Sequence, residues 1–97
     1  MAQYIIAPAA IQDLDGITSY FATRNVEAGE RLLDKFQKKC RYLAQFPQIG
    51  RSYAAIRPYL RGIPMDSYII FYRIEVEQIE ILRVVRGNRD LDSLFSE

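Results

Sequence analysis

The sequence predicts an α+β fold in which an N-terminal strand and a two-helix antiparallel hairpin pack on a small, largely antiparallel, curved sheet. Between Ala10 and Leu43 the apolar residues recur at the three- and four-residue spacings of a helix. Beyond Pro47 they change to the two-residue period of strands. A helical hairpin on one face of a sheet buries both apolar helix stripes. The predicted order is therefore β-α-α-β-β-β, with a short C-terminal helix or turn.

The first strand and the two helices are predicted from local signals. Residues 3–7 form a short apolar run suited to a strand, and Pro8 can open a helix because its missing N–H is not needed there. Asn25 is a suitable N-cap for a second helix, which should end before Pro47. The apolar stripe of the first helix is Ala10, Leu14, Ile17 and Phe21. That of the second is Leu32 or Leu33, Phe36, Cys40 and Leu43.

The second half of the chain predicts strands separated by turns. Residues 47–53 form a loop, and residues 56–60 with 63–65 form an interrupted strand whose glycine and proline indicate an edge or a bulge. Residues 67–74 are apolar on both faces, which predicts a central, covered strand. Residues 79–85 form the last strand, and a change of alternation at Leu82 predicts a bulge.

The length and composition exclude several classes of protein. A chain of 97 residues fits one domain, here residues 1–97. No apolar run approaches a membrane span or the core of a signal peptide, so we expect a cytoplasmic protein without membrane contact. One cysteine and no histidine exclude an intrachain disulfide and a zinc site.

The cations are unevenly distributed. All three lysines precede residue 51, and every later cation is an arginine. The planar arginine fork suits phosphates and carboxylates, so these residues are candidates for a binding surface. The alternative is that these arginines solvate the outer face of the sheet. Composition alone favours this second interpretation.

Four segments, taken in order, resemble the RelE/ParE superfamily of bacterial type II toxin–antitoxin toxins, some of which are labelled plasmid-stabilisation proteins. They are YIIAPAAIQDL, LAQFPQIGR, IRPYLRGIPMDSYIIFYRI and IEILRVVRGNRDL. The resemblance covers nearly the whole chain, is closest to the ParE branch, and implies two helices packed on a small curved sheet.

The resemblance implies a choice between two activities. RelE-type members cut mRNA and carry an arginine on the middle strand, an arginine after the last strand's glycine and a tyrosine near the C-terminus. The matching positions here are Ile69, Arg89 and Phe95, so one of the three is retained. This favours a ParE-like binding protein without catalytic residues. An mRNA endonuclease remains the alternative, with Arg89, Arg83 and Arg61 as its cations and Asp90 or Glu80 as its base.

ParE-type toxins, by the same resemblance, bind DNA gyrase and trap its DNA cleavage complex, which implies no cofactor and no metal. The residues then implied for target binding are Arg86, Asn88, Arg89, Leu91 and Phe95. Relatives often have histidine at the position of Arg86.

The other implied partner is a cognate antitoxin, a ribbon-helix-helix DNA-binding protein with an acidic or amphipathic C-terminal tail. DNA would be contacted only through the antitoxin or gyrase. The residues implied for antitoxin binding are Arg57, Arg61, Arg73, Arg83, Tyr20, Phe21, Tyr42 and Tyr53. A third interpretation is a non-toxic antitoxin-binding co-regulator.

Overall fold

The computed structural model describes residues 3–88 and 90–95, and it places a helical hairpin on one face of a five-stranded sheet. The strand order is β1-β5-β4-β3-β2; β1 runs parallel to β5, and every other neighbouring pair is antiparallel. The predicted fold class is confirmed. In chain order the elements are β1 (Tyr4–Ile6), α1 (Pro8–Ala22), α2 (Val26–Gln45), β2 (Arg51–Ser52), β3 (Arg61–Met65), β4 (Tyr68–Ile74), β5 (Ile79–Arg86) and α3 (Leu91–Phe95).

Both helices begin where the local signals predict. α1 starts at Pro8, and the Asn25 side chain caps α2 by accepting a 3.1 Å hydrogen bond from the Ala28 backbone N–H. In α2, Leu32 is buried and Leu33 is exposed, which decides between the two predicted positions. The helices approach closely at Gly29, because a Cβ there would lie 2.9 Å from the Phe21 Cβ.

The third strand differs from its prediction. Residues 56–60 were expected to be extended, but they form turns, in which the Leu60 N–H donates to the Arg57 carbonyl. Pro58 has no N–H for a strand ladder, which disfavours an extended course there. The strand proper is β3, and the edge is β2, which lies inside the segment predicted as a loop. β2 pairs only with Arg61 and Gly62, so it ends before Pro64.

The two central strands follow their predictions. β4 is the third of five strands in the sheet order, as its apolar character on both faces indicates. The predicted bulge is present, because Phe71 pairs with Arg83 while Tyr72 pairs with Ile81. Leu82 is therefore the extra residue in β5, and it contacts the sheet face opposite the helices.

Each face of the sheet carries its own apolar cluster. The larger cluster is the core under α1 and α2, and it includes Phe36, Leu43, Ile70 and Tyr72. On the opposite face α3 and the turns after β2 cover a smaller group, which we call the second cluster. Its members are Leu60, Phe71 and Val85, packed against Tyr53, Ile56, Ile69, Leu82, Leu91, Leu94 and Phe95. Within the described residues, no helix is both long and apolar enough to cross a membrane.

Candidate protein-binding site

The second cluster contains two of the three positions at which RelE-type members carry the residues for RNA cleavage. Ile69 and Phe95 both belong to it, and the Phe95 ring stands edge-on to Phe71 with ring centroids 5.2 Å apart. Tyr53 packs on the same ring, with centroids 5.0 Å apart. These positions are therefore part of an apolar packing unit, and neither Ile69 nor Phe95 can supply a cation or a hydroxyl.

Polar contacts cap the start of α3 and tie its end to the turn that contains Arg57. At its start, Asp90 accepts hydrogen bonds from the Ser93 backbone N–H at 3.4 Å and the Ser93 hydroxyl at 2.8 Å. The hydrogen bond from the Ser93 side chain lowers the pKa of Asp90, which makes that carboxylate a weaker base. At its end, Arg57 donates to the Phe95 carbonyl and, at 2.7 Å, to the Ile56 carbonyl. Arg57 therefore has a structural role.

Arg83 is tied to the helical layer. Its Nε and Nη2 atoms donate to the two carboxylate oxygens of Asp13 at 2.8 and 2.9 Å. The Val84 N–H donates to the same carboxylate at 2.9 Å, so one aspartate of α1 holds three donors of β5. The hydrogen bond to Asp13 raises the pKa of Arg83. Because the Arg83 guanidinium is already paired, it is poorly placed to act as a cation in RNA cleavage or to bind the antitoxin.

Arg73 is also paired within the chain. Its Nη2 atom lies 2.9 Å from the Glu80 carboxylate and 3.2 Å from that of Glu75. Glu80, the other base considered for RNA cleavage, is thus half of an ion pair. The charges of Arg73 and Glu80 therefore compensate each other within the chain.

Arg61 and Tyr72 fasten the FPQIGR loop. Arg61 donates to the carbonyls of Gly50 at 2.9 Å and Gln48 at 3.3 Å. The Tyr72 hydroxyl donates to the Pro47 carbonyl at 2.6 Å and accepts the Gly50 N–H at 3.0 Å. Burial raises the pKa of Tyr72. The FPQIGR motif, which is part of the resemblance, is thus a loop held in place by hydrogen bonds, and we call this arrangement the loop lock. Arg61 belongs to it.

The described residues among those predicted for RNA cleavage are not assembled into a catalytic centre. Arg83 lies against Asp13, Arg61 lies against the loop carbonyls, and Arg89 is outside the described residues. Cys40 is no alternative nucleophile, because burial raises its pKa to about 12. Among residues 3–88 and 90–95 there is no cluster of three metal-ligating side chains.

The residues predicted for target binding divide into two groups. Arg86 and Asn88 are exposed, and the Arg86 guanidinium lies over the Tyr68 ring, 5.3 Å from its centroid. Leu91 and Phe95 are half-buried in the second cluster, so they anchor α3. Among the described residues of this set, Arg86 and Asn88 offer an exposed polar surface at the end of β5 and in the turn that follows.

The aromatic residues predicted for antitoxin binding do not line one groove. Tyr20 and Phe21 touch edge-to-face at the end of α1, with centroids 5.4 Å apart. Tyr42 packs with Phe46 at the other end of the hairpin, and Tyr53 lies on the opposite sheet face. Arg31 and Lys35 were not among the predicted site residues, yet they lie one turn apart on α2 and share a cavity with Arg86. The sequence carried a signal for this pair, because their i, i+4 spacing beside the buried apolar stripe of α2 places both cations on one side of the helix.

The fold and these surfaces define a small α+β protein whose exposed arginines suit the binding of another macromolecule and whose sheet holds no assembled catalytic centre in the described residues. Residues 4–91 match the family described as the ParE toxin of the type II toxin–antitoxin system parDE. The chain belongs to this ParE toxin family, and an antitoxin is the partner that such a toxin has.

Relatives support the assignment. Toxin ParE1 of Mycobacterium tuberculosis is 32% identical over 93 residues, covering 94% of this chain and 95% of the relative. Toxin ParE3 of Caulobacter vibrioides is 29% identical over 80 residues, covering 81% of this chain and 80% of the relative. A solved structure described as a chromosomal ParDE toxin–antitoxin system from P. aeruginosa has the same fold, with a TM-score of 0.74 and 20% identity over 89% of this chain and 96% of that chain.

Proposed function

We propose that this toxin inhibits DNA gyrase by binding the enzyme and trapping its DNA cleavage complex, and that a cognate antitoxin neutralises it. The observation that carries the choice of target is the second cluster. It fills with Ile69, Phe71 and Phe95 the face on which an RNA-cutting relative would carry its chemistry.

RNA cleavage requires more than these side chains offer. A base, an acid and cations must meet at one phosphate. The two carboxylates considered as bases are a hydrogen-bonded helix cap, Asp90, and the ion-paired Glu80. The hydrogen bonds from Ser93 lower the pKa of Asp90 and so disfavour its proton uptake. The apolar second cluster and these carboxylates together support the non-cutting interpretation.

We place the gyrase contact at the end of β5 and the turn that follows it. Arg86, the last residue of β5, and Asn88 in the turn are exposed polar residues there. Leu91 and Phe95 support it by holding α3 against the second cluster. Arg89 remains part of this proposal by its position in the sequence.

The test uses purified toxin and gyrase. Wild-type toxin should block supercoiling of relaxed plasmid and should raise the yield of linear DNA released by detergent and protease. The Arg86→Glu, Asn88→Ala variant should do neither, while its melting temperature stays close to that of the wild type. Ribosome-phased mRNA cuts with normal supercoiling would instead establish the endonuclease, and inactivity in both assays would indicate a non-toxic co-regulator.

We further propose that the antitoxin is a ribbon-helix-helix protein with an acidic or amphipathic tail, and that both proteins act in the cytoplasm. The toxin would then contact DNA only through the antitoxin or gyrase. In a gel-shift assay with the operator, the complex should bind DNA and the toxin alone should not. Operator binding by the isolated toxin would contradict this arrangement.

A further inference from the structure

One side of the helical hairpin carries apolar side chains that the core does not bury. Val26 is 57% exposed and Leu33 is 37% exposed, and both belong to α2. Together with residues of α1 they border a hollow of about 150 Å³, which is large enough to receive a small apolar group. The residues that line it are Thr18, Phe21, Ala22, Val26, Gly29, Glu30 and Leu33.

A row of residues continues this surface along α2. The row consists of Val26, Glu30, Leu33, Gln37 and Arg41, which follow one another at spacings of four, three, four and four residues. Such spacings place side chains on one side of a helix, and all five residues are exposed. The hollow and this row together form a surface that we call the hairpin face.

The two charged residues of the row have no ion-pair partner in the part of the chain that the structure describes. None of the salt bridges there includes Glu30 or Arg41. Asp34 and Lys38, which lie between them in the sequence, pair with each other at 3.1 Å. The hairpin face therefore presents one unmatched acid and one unmatched base.

The helix macrodipole does not explain the positions of these two charges. Its effect is confined to the first and last turns of a helix. In α2 the acidic residue of the first turn is Glu27, and the last turn has no basic residue. Because Glu30 and Arg41 lie outside these turns, interaction with the dipole contributes little at either position.

The two charges are complementary to those of a second copy of the same helix. Glu30 and Arg41 are 11 residues apart in the sequence, which is about 16 Å along the helix axis. In an antiparallel pair related by a twofold axis, Glu30 of each copy meets Arg41 of the other. The axis passes near the neutral Gln37 and the mutually paired Asp34 and Lys38, so unpaired like charges do not meet at the centre.

The size of the hairpin face limits the strength of such a contact. α2 has 20 residues and is about 30 Å long, and two helices side by side are about 20 Å wide. The face then offers roughly 600 Å² per copy, which is typical of small and reversible protein interfaces. We expect a dissociation constant on the order of 10 µM.

We propose that two copies of the free toxin associate through their hairpin faces in an antiparallel, twofold arrangement. Glu30 and Arg41 form two symmetric ion pairs across the interface, and Leu33 of each copy packs near its centre. Arg86 lies outside the hairpin face, because its hollow is bordered by Arg31 and Lys35 on another side of α2. Each copy therefore keeps the proposed gyrase contact accessible, and the inference does not depend on that target.

Analytical ultracentrifugation of the full-length toxin without antitoxin measures this association. The wild type should change from monomer to dimer as its concentration rises through the expected Kd. Glu30→Arg and Arg41→Glu should each raise Kd roughly tenfold or more, because each change replaces two symmetric attractions by two repulsions. A wild-type toxin that stays monomeric up to about 1 mM would overturn the inference.

The antiparallel pairing is tested by restoring the charges. An equimolar mixture of the Glu30→Arg and Arg41→Glu proteins should form heterodimers, because both ion pairs are present again with their signs exchanged. The double variant Glu30→Arg, Arg41→Glu should self-associate with a Kd within about threefold of the wild type. A double variant that associates no better than the single variants would contradict the pairing.

Two variants outside the hairpin face serve as controls. Glu77→Arg makes the same change of net charge as Glu30→Arg, at an exposed position between β4 and β5, and its Kd should stay within about twofold of the wild type. Gly16→Ala should raise the melting temperature without changing Kd, because its added methyl enters open space on α1. Equal effects of Glu77→Arg and Glu30→Arg would reduce the association to net charge and overturn the inference.

Leu33→Ala tests the apolar part of the contact. Leu33 is partly exposed in the single chain, so its truncation should change the melting temperature little and should raise the dimer Kd severalfold. An unchanged Kd would show that Leu33 does not enter the interface and would contradict the proposed arrangement.

Assays with other partners separate this inference from the proposed function. Glu30→Arg and Arg41→Glu should still block gyrase supercoiling, because Arg86 is unchanged in both. If the wild type is monomeric and these variants instead lose gyrase inhibition or antitoxin affinity, the hairpin face belongs to that partner and the inference is wrong. A wild-type toxin that dimerises through Glu30 and Arg41 but spares gyrase would refute the proposed target and support the self-association.

Discussion

Asp13 on α1 accepts both Nε and Nη2 of Arg83 on β5, at 2.8 and 2.9 Å, together with the Val84 N–H. The two side chains are mostly buried, with 13% of Asp13 and 23% of Arg83 exposed. This contact joins the helical hairpin to the sheet and removes Arg83 from the arginines available to a partner.

Asp13→Asn should therefore destabilise the fold. The carboxamide cannot accept both guanidinium donors with charge assistance, and we expect a loss of roughly 1–3 kcal/mol in the free energy of unfolding. Urea denaturation followed by circular dichroism measures it. Asp15→Asn, an exposed change on the same helix, serves as the control and should shift the unfolding free energy by less than about 0.5 kcal/mol. Comparable losses in both variants would deny Asp13 its special role.

Gly50→Ala should disrupt the loop lock. A Cβ at this position would lie 2.3 Å from the Tyr72 hydroxyl, and Gly50 is buried, so either the loop or the ring must move. We expect roughly 1–3 kcal/mol of destabilisation, as for overpacking. Thermal unfolding of Gly50→Ala beside Gly16→Ala makes the comparison, and the two changes should shift the melting temperature in opposite directions. A stabilised Gly50→Ala protein would refute the lock.

The Tyr72 hydroxyl should also shape the stability at alkaline pH. Its pKa is raised in the folded state, so its contribution is present below its ordinary value of 10.0 and is lost as pH rises through the higher folded value. Tyr72→Phe should lower stability near neutral pH by about 1 kcal/mol, because its two hydrogen bonds are lost. The mutant should then lose less stability than the wild type as pH is raised beyond 10. Parallel stability–pH curves for the two proteins would contradict this assignment.

Cys40 should react with thiol reagents only after unfolding. It is fully buried, and its pKa of about 12 leaves little thiolate near pH 8. Labelling by Ellman's reagent should be at least about a hundredfold slower in buffer than in denaturant. Rapid labelling of the native protein would mean that α2 does not cover the thiol as described.

Phe95→Ala should release α3 from the sheet. The ring packs edge-on to Phe71, and its removal should cost roughly 1–3 kcal/mol, because the site is half-buried rather than fully enclosed. Gyrase inhibition should weaken in parallel, since α3 supports the proposed contact. Ser93→Ala, which removes one hydroxyl contact of the cap, should have a smaller effect on both. If Phe95→Ala detaches α3 but gyrase inhibition stays at the wild-type level, α3 is not part of the surface that binds gyrase.

Local rules predicted much of the fold. Pro8 and Asn25 set the helix starts, and the break in alternation at Leu82 marked the bulge, because caps and periodicity act over a few residues. The two-residue β2 was missed, since its pairing with Arg61 and Gly62 is decided by the sheet and not by its own sequence.

The partners of the arginines could not be predicted from local sequence patterns. Their number and grouping were visible in the chain, but the choice among 12 acidic residues for each partner was not. Arg83 meets Asp13 across a separation of 70 residues, while Arg57 and Arg61 turn to backbone carbonyls. Residue order fixed the helices, the strands and the family. Folding alone decided that Arg73 and Arg83 form ion pairs within the described chain, while Arg31 and Arg86 are among the arginines there that do not, because ion pairing depends on distances that only tertiary packing sets.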